Sequence, residues 1–327
     1  MKVLLTGAGG IAGRFIAEAL YDEGYQVFGM SRNPEKAAQH LPGLKEKITW
    51  IHGDVLDLLS LEEAIKGMDF LVHAAGLVSF QPSDRDLLMK INAEGTANVV
   101  NACLATGSIK KLIHISSVAC LSPSKPMPSE VDERQGFNPD AYTSDYAMSK
   151  YAAEMEVCRA VEEGLDALML NPSIVLAPGR EDESSAALIH YALKPRVFYP
   201  SGWINYVDAR DLADVCVRLL KLPHGKGQRL VVSGGCISYQ EFFSKIAEKK
   251  KIRKPLFETG PMLTGLAWRA AWFFSIISRK KPLLTRHTAN SASKRFIYKG
   301  IAFRDIMGDF SFRSISETLN WIIDKKY

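Results

Sequence analysis

The stretch Thr6-Gly7-Ala8-Gly9-Gly10-Ile11-Ala12-Gly13 does most to limit what this chain can fold into. Gly7, Gly10 and Gly13 recur at a spacing of three. They lie between a short apolar run, Val3–Thr6, and an amphipathic stretch over residues 11–22, with Ile11, Phe15, Ala19 and Leu20 on one face. That order reads as strand, tight turn, helix. Glycine here lets the backbone approach a ligand, and the helix start offers free N–H groups and positive partial charge. Gly13 lets the helix pack close to the strand. A turn without ligand would use some of the same glycines. The strand-before, helix-after context points instead to a dinucleotide pyrophosphate, with Gly7, Gly10, Ile11 and Gly13 as candidate contacts.

The alternation continues along the chain. Tyr25–Met30, Ile48–Asp54, Phe70–His73, Leu112–Ser116 and Ala167–Leu170 read as strands. Helical stretches near 60–66, 86–105 and 144–163 lie between them. Such a pattern implies a parallel sheet with helices on both faces and right-handed connections. Ligands then bind beyond the carboxyl ends of the strands. After Pro172 the regularity fades, with Pro178, Pro195 and Pro200 marking a loop-rich stretch. A helix at 209–221 and a strand at Arg229–Ser233 rejoin the sheet, and 238–327 reads as mostly helical. The expected fold is α/β: a Rossmann doubly wound parallel sheet with a smaller, mostly helical C-terminal substrate domain. Residues 1–172 and 204–235 form the dinucleotide domain in this reading, interleaved with 173–203 and 236–327.

Charge narrows the partners. The net charge of +5 is too mild to imply nucleic acid. Its distribution is uneven: residues 245–327 carry +12 and the rest −7. Cys103, Cys120, Cys158, Cys216 and Cys236 are scattered, without metal-ligand spacing or a C-x-x-C, so they read as reduced thiols of a cytoplasmic protein. Only Val3, Leu4 and Leu5 precede Thr6-Gly7, too short an apolar run for a secretory leader. Residues 262–278 are rich in Leu, Trp, Phe and Ile, with Arg269 in the middle and Arg279-Lys280-Lys281 behind. A helix roofing the pocket or buried in an oligomer is the expected reading; a helix on an anionic membrane surface is the alternative.

Two further places carry chemistry. The second strand ends in Ser31-Arg32, with no acid to bond the adenosine ribose and repel a 2′-phosphate. Arg32 is instead suited to pair with that phosphate, with Arg14 a second partner, unless Arg32 is a solvated loop cation. NADP is therefore favoured, with NAD as the alternative. Farther on, Tyr146 and Lys150 are four residues apart, on one face of a helix. A lysine there would stabilise the phenolate, lower the tyrosine pKa below its usual value near 10, and bond the nicotinamide ribose. Tyr146 would then pass a proton to a carbonyl oxygen. This is the chain's only Tyr-x-x-x-Lys, and it follows a strand ending in Ser116-Ser117, where a hydroxyl can donate to the substrate oxygen.

Taken together, these residues resemble the extended short-chain dehydrogenases/reductases, the family of NAD-dependent epimerases and dehydratases, over residues 1–235. The resemblance implies that Ser117, Tyr146 and Lys150 are catalytic, Ser117 being the last serine before the small-residue stretch. It implies that Asp54 and Val55 contact adenine, and that Ala74, Ala75 and Gly76 after His73 lie along the cofactor. Ile91-Asn92 with Gly95-Thr96 matches the family's helix signature, and Pro172 and Ile174 in Asn171–Val175 place backbone against the nicotinamide. Gly202–Asp208 with Asp211-Leu212-Ala213 resembles another signature. His73 and Asn92 are expected to be structural, Asp208 and Asp211 to start a helix. Tyr142 and Phe80 are pocket-wall candidates or plain surface.

The departures matter as well. No arginine precedes Pro172, Leu176-Ala177-Pro178 stands where sugar-nucleotide members carry Tyr-Gly-Pro, and the 178–202 loop is short. These features are closer to the dihydroflavonol-reductase-like and hydroxysteroid-dehydrogenase-like branch. The expected function is reversible hydride transfer between NADP(H) and a carbonyl or secondary alcohol of a small-molecule substrate. The alternatives are a nucleotide-sugar epimerase or dehydratase and a non-catalytic NADP-binding sensor. Helices of such sheets often pair, so a homodimer is an expected assembly.

Overall fold

Val3-Leu4-Leu5, Phe70-Leu71-Val72 and Leu112-Ile113 are apolar at every position, the mark of strands covered on both faces. The computed structural model describes residues 1–121, 129–139, 143–181, 183–223, 225, 227–260, 265, 268, 269 and 285–325. Along the chain come β1 Lys2–Thr6, α1 Ile11–Asp22, β2 Gln26–Ser31, α2 Pro34–His40, β3 Thr49–His52, α3 Leu58–Ile65 and β4 Phe70–His73. Next are α4 Arg85–Leu88, α5 Gly95–Thr106, β5 Lys111–Ile115, β6 Glu130–Val131, α6 Asp145–Glu162, β7 Ala167–Pro172 and β8 Ile174–Leu176. Then follow α7 Ser184–Ala192, β9 Phe198–Pro200, β10 Trp203–Asp208, α8 Ala209–Lys221, β11 Arg229–Val232 and β12 Gly235–Ser238. Last come α9 Tyr239–Lys250, β13 Phe257–Thr259, α10 Arg286–Ser291, β14 Ile297–Tyr298, α11 Ile301–Met307 and α12 Ile315–Asp324.

Seven strands make one parallel sheet in the order β3-β2-β1-β4-β5-β7-β11. The order reverses beside β1, so a crevice opens at the carboxyl ends of β1 and β4. Alternate residues feed two cores. Val3, Leu5, Val72 and Ile113 face one side, with Ile16 and Leu20 of α1 and Leu212 and Leu219 of α8. Leu4, Leu71 and Leu112 face the other, with Leu61 of α3, Val99 of α5 and Val157 of α6. Each of these leucines is essentially inaccessible, and burial of one is worth about 2 kcal/mol.

A third core lies beyond the sheet. Strands β12, β10 and β8 form a small sheet whose Ile237, Ile204, Tyr206 and Leu176 pack with Phe242 and Ile246 of α9 and Leu319 and Ile322 of α12. Phe303 and Met307 of α11 instead join the core of the large sheet. Seven strands are absent from the sequence reading: β8, β10 and β12 of the small sheet, and the pairs β13 with β9 and β14 with β6. The stretch read as one helix at 86–105 contains a π-helical turn, Met89–Glu94, between α4 and α5. The third strand is shorter than expected, because Asp54 leaves it to accept a hydrogen bond from the Leu56 amide at 3.0 Å. No helix among the described residues is long and apolar enough to cross a membrane. The apolar-basic segment 262–281 lies outside the described residues except for Gly265, Trp268 and Arg269, and Tyr142 lies outside them too.

Candidate active site

The glycine turn takes its shape from backbone packing. Gly7 has φ +71°, and a Cβ there would lie 2.5 Å from the backbone of Ala74 and Ala75. A Cβ on Gly13 would meet the Gly7 carbonyl oxygen at 2.1 Å. These two glycines therefore clamp β1, the turn after β4 and α1 together. Gly10 is the N-cap of α1 and is exposed, with no side-chain cap and no acid in the first turn. An uncapped helix start on exposed glycine backbone fits a dinucleotide pyrophosphate, with Ile11 beside it in the first turn.

At the end of β2, the Ser31 hydroxyl accepts from the Asn33 amide at 3.2 Å, and Arg32 projects as an exposed residue. Arg14, the second phosphate candidate, is engaged elsewhere. It pairs with Glu183 at 3.3 Å and donates to the Pro178 carbonyl, tying α1 to the segment after β8. Val55 is buried against Gly95, where a Cβ would come within 2.9 Å of its methyl, and Asn98 donates to its carbonyl at 3.0 Å.

A buried polar chain links the cofactor end to the helix of the Tyr/Lys pair. Thr96 donates its hydroxyl to the Asn92 carbonyl at 2.6 Å, so it accepts from His73 Nε2 at 3.0 Å. His73 Nδ1 is then left to accept from the Thr6 hydroxyl at 2.7 Å, and Thr6 Oγ1 accepts from the Ala75 amide at 3.2 Å. Burial lowers the His73 pKa to about 3, so the ring is neutral and structural. Asn92, drawn inward by the π-helical turn, donates to the Leu77 carbonyl and to Ser149, each at 2.9 Å. Its Oδ1 accepts from the Leu77 amide at 2.7 Å. A Cβ on Gly76 would lie 3.2 Å from Asn92 Oδ1 and 3.9 Å from Lys150 Nζ. The turn after β4 thus runs directly past the lysine.

Ser117, Tyr146 and Lys150 come together at the carboxyl end of β5. Ser144 caps α6, accepting from the Ala147 amide, and the first turns of that helix carry Tyr146 and Lys150 into the crevice. Ser117 sits close enough to the Tyr146 phenol to pull its pKa down, and its hydroxyl accepts from the Ala119 amide at 3.1 Å. Ser116 points the other way, into the interior, toward Glu154 and Cys120. Lys150 is buried and donates to the Ile115 carbonyl at 2.7 Å.

The titration of the pair differs from the sequence expectation. Burial pushes the Tyr146 phenol up to about 12, against a smaller downward pull from Ser117. Burial also lowers the Lys150 ammonium to about 8. The lysine was expected to depress the tyrosine. Desolvation of the phenolate sets the direction instead, and Ser117, not Lys150, is the neighbour that pulls it back.

Two residues were not singled out from the sequence, His287 and Glu154, and Phe80, a pocket-wall candidate there, finds its place beside the first of them. Phe80, after β4, packs edge-on against Tyr146 at 5.7 Å and stacks on His287 of α10 at 5.4 Å. A residue 141 positions past Tyr146 thereby closes one wall of the site, and no local pattern announces it. Glu154, one turn beyond Lys150, is completely buried. Its i, i+4 spacing from Lys150 was the available signal. Asp208 caps α8 and accepts from Thr318 at 2.8 Å, while Asp211, in its first turn, pairs with Arg313. Pro172 ends β7, and Ile174 opens β8 opposite Tyr206.

Comparison with known proteins identifies the family and the fold. The model of the NAD dependent epimerase/dehydratase family matches residues 3–233. Cinnamoyl-CoA reductase 1 of Petunia hybrida is 30% identical over 241 residues, spanning 70% of this chain and 71% of the relative. Tetraketide alpha-pyrone reductase 1 of Arabidopsis thaliana is 28% identical over 268 residues, spanning 76% and 81%. Among solved structures, the UDP-glucuronic acid 4-epimerase from Bacillus cereus, in complex with UDP-glucuronic acid and NAD, has the same fold. It aligns with a TM-score of 0.77 at 18% identity, over 100% of both chains.

Proposed function

The chain belongs to the NAD-dependent epimerase/dehydratase family of extended short-chain dehydrogenases/reductases, which are enzymes, and from that premise we propose that it transfers hydride between NADP(H) and a carbonyl or secondary alcohol. The observation that carries this reading is the convergence of Ser117 on the Tyr146 phenol, one helical turn from the buried Lys150, which itself borders Gly76 of the turn after β4. Gly7, Gly10, Ile11 and Gly13 would hold the pyrophosphate. Ser31 and Arg32 would take the 2′-phosphate side, and Asp54 and Val55 the adenine. Ala74, Ala75, Gly76 and Asn92 would line the cofactor's path, with Pro172 and Ile174 against the nicotinamide. The nicotinamide supplies or accepts the hydride when bound.

Tyr146 passes its phenol proton to the substrate oxygen, and Ser117 orients that oxygen and donates to the developing alkoxide. Lys150 holds the ribose and supplies positive charge. With its pKa pushed up to about 12, the phenol holds its proton at neutral pH and is available as the donor when a carbonyl is reduced. The aromatic wall of Phe80 and His287 and the short 178–202 segment support an apolar carbonyl compound over a diphosphate sugar. A screen of carbonyls and alcohols by NADPH absorbance tests this. Net NADPH consumption is expected. Turnover of a sugar nucleotide with the cofactor returned to its starting state would mean an epimerase or dehydratase.

The cofactor preference is tested at Arg32. NADPH is expected to bind more tightly than NADH, and Arg32→Ala to weaken NADPH alone, roughly 10- to 100-fold. Equal losses for the two nucleotides would remove Arg32 from the phosphate site. The pH dependence follows from Lys150. Its folded pKa is lowered to about 8, so the ammonium is charged below that pH and neutral above it. Reduction should be flat at neutral pH and fall as pH rises past about 8. A profile level to pH 10 would mean that the lysine charge is not used.

A further inference from the structure

Glu154 has no role in the scheme above, yet it is a carboxylate with no accessible surface beside the site. Carboxylates are rarely buried unless paired, and an unpaired one is costly. Glu154 has a partner at each oxygen, hydrogen bonds at Oε1 and an ion pair without a hydrogen bond at Oε2. Its Oε1 accepts from the Ser116 hydroxyl at 2.5 Å and from Asn171 Nδ2 at 2.6 Å, and its Oε2 lies 2.8 Å from Arg229 Nε. Asn171 Nδ2 also donates to the Ser117 carbonyl at 3.0 Å. One carboxylate therefore joins the residue after β5, the end of β7 and the edge strand β11. The same end of β5 presents the Ser117 hydroxyl and the Ile115 carbonyl that Lys150 grips.

We propose that Glu154 is a positioning residue for hydride transfer: it fixes the turn that presents Ser117 and the Ile115 carbonyl, and it supplies the negative charge that faces the Lys150 ammonium from inside the protein. The proposal rests on the reading of Tyr146 and Lys150 given above. The other titratable groups around Lys150 cannot provide that charge. Burial keeps the His73 and His114 rings neutral and raises the thiol of Cys120 well above its usual range, and Tyr146 holds its proton to about 12. Glu154 is left as the anion that favours the charged lysine. Arg229 balances its charge on the far side, stacked toward Tyr151 at 5.9 Å.

The test is NADPH binding, read by nucleotide fluorescence across the pH range, in the full-length wild type and in Glu154→Gln. The wild type is expected to lose affinity as Lys150 deprotonates near pH 8. In Glu154→Gln the midpoint should move down by about one pH unit. A folded variant with an unmoved midpoint would overturn the proposal, since a carboxylate that only braces the strands would not shift the titration. If Glu154→Gln fails to fold because Arg229 is left unpaired, the double variant Glu154→Gln/Arg229→Gln removes both charges, and a smaller downward shift is expected, since losing the more distant Arg229 cation offsets part of it. An unmoved midpoint there would equally overturn it. Lys150→Met serves as the reference. If it binds NADPH as the wild type does at every pH, the reading of Lys150 has failed. If it abolishes binding while the Glu154 variants leave the midpoint in place, only the Glu154 proposal has failed.

Discussion

Tyr146→Phe is expected to cut turnover by about 10³-fold or more while leaving NADPH affinity nearly unchanged. The substitution removes one oxygen. In this structure that oxygen lies beside Ser117, and the ring packs against Phe80, which stacks on His287. In the proposed scheme it faces the substrate and contributes little to cofactor contact. The ring itself remains, so packing against Phe80 is kept and the fold should survive. Ser117→Ala should be milder, losing one donor to the developing alkoxide, roughly a 10²- to 10³-fold effect on rate. Turnover and nucleotide titration of the two variants, side by side, carry the test. Near-normal turnover in Tyr146→Phe would overturn the proposed chemistry altogether.

The second large effect is expected at Gly7. Alanine there must adopt φ +71°, and its methyl would sit 2.5 Å from the backbone of Ala74 and Ala75. Backbone on both sides cannot yield as a flexible side chain would. Strain and overpacking together should cost roughly 2–4 kcal/mol and separate β1 from the turn after β4. A lower melting temperature and lost NADPH binding are expected together. Gly9→Ala is the control, because nothing lies within 4 Å of a Cβ at that position, and its melting temperature should match the wild type. If Gly7→Ala melts as Gly9→Ala does, the turn after β4 is not clamped as the geometry implies.

Much of this could be read from local spacing. Gly7, Gly10 and Gly13 announce the turn between β1 and α1, because a clamp of backbone on backbone tolerates no side chain and leaves that mark in the sequence. The i, i+4 pair Tyr146 and Lys150 needs only a helix to share a face, and α6 provides it. The strands of the large sheet announce themselves because burial on both faces demands continuous apolar runs, as in Val3–Leu5 and Phe70–Val72.

What local spacing cannot carry is the partner a side chain meets across the fold. Arg14 reads as a free cation near a phosphate site, and Glu183, 169 residues away, takes it. The short strand β14 forms only because Glu130 and Val131 lie beside it in space. Phe80 becomes a wall of the site only because α10 brings His287 against it. The sign of the Tyr146 shift belongs to the same class. The sequence determined that a lysine stands one turn from the tyrosine. Only the tertiary structure decided how deeply the phenol oxygen is buried, and desolvation grows with everything packed around a group, whatever stands next to it in the chain.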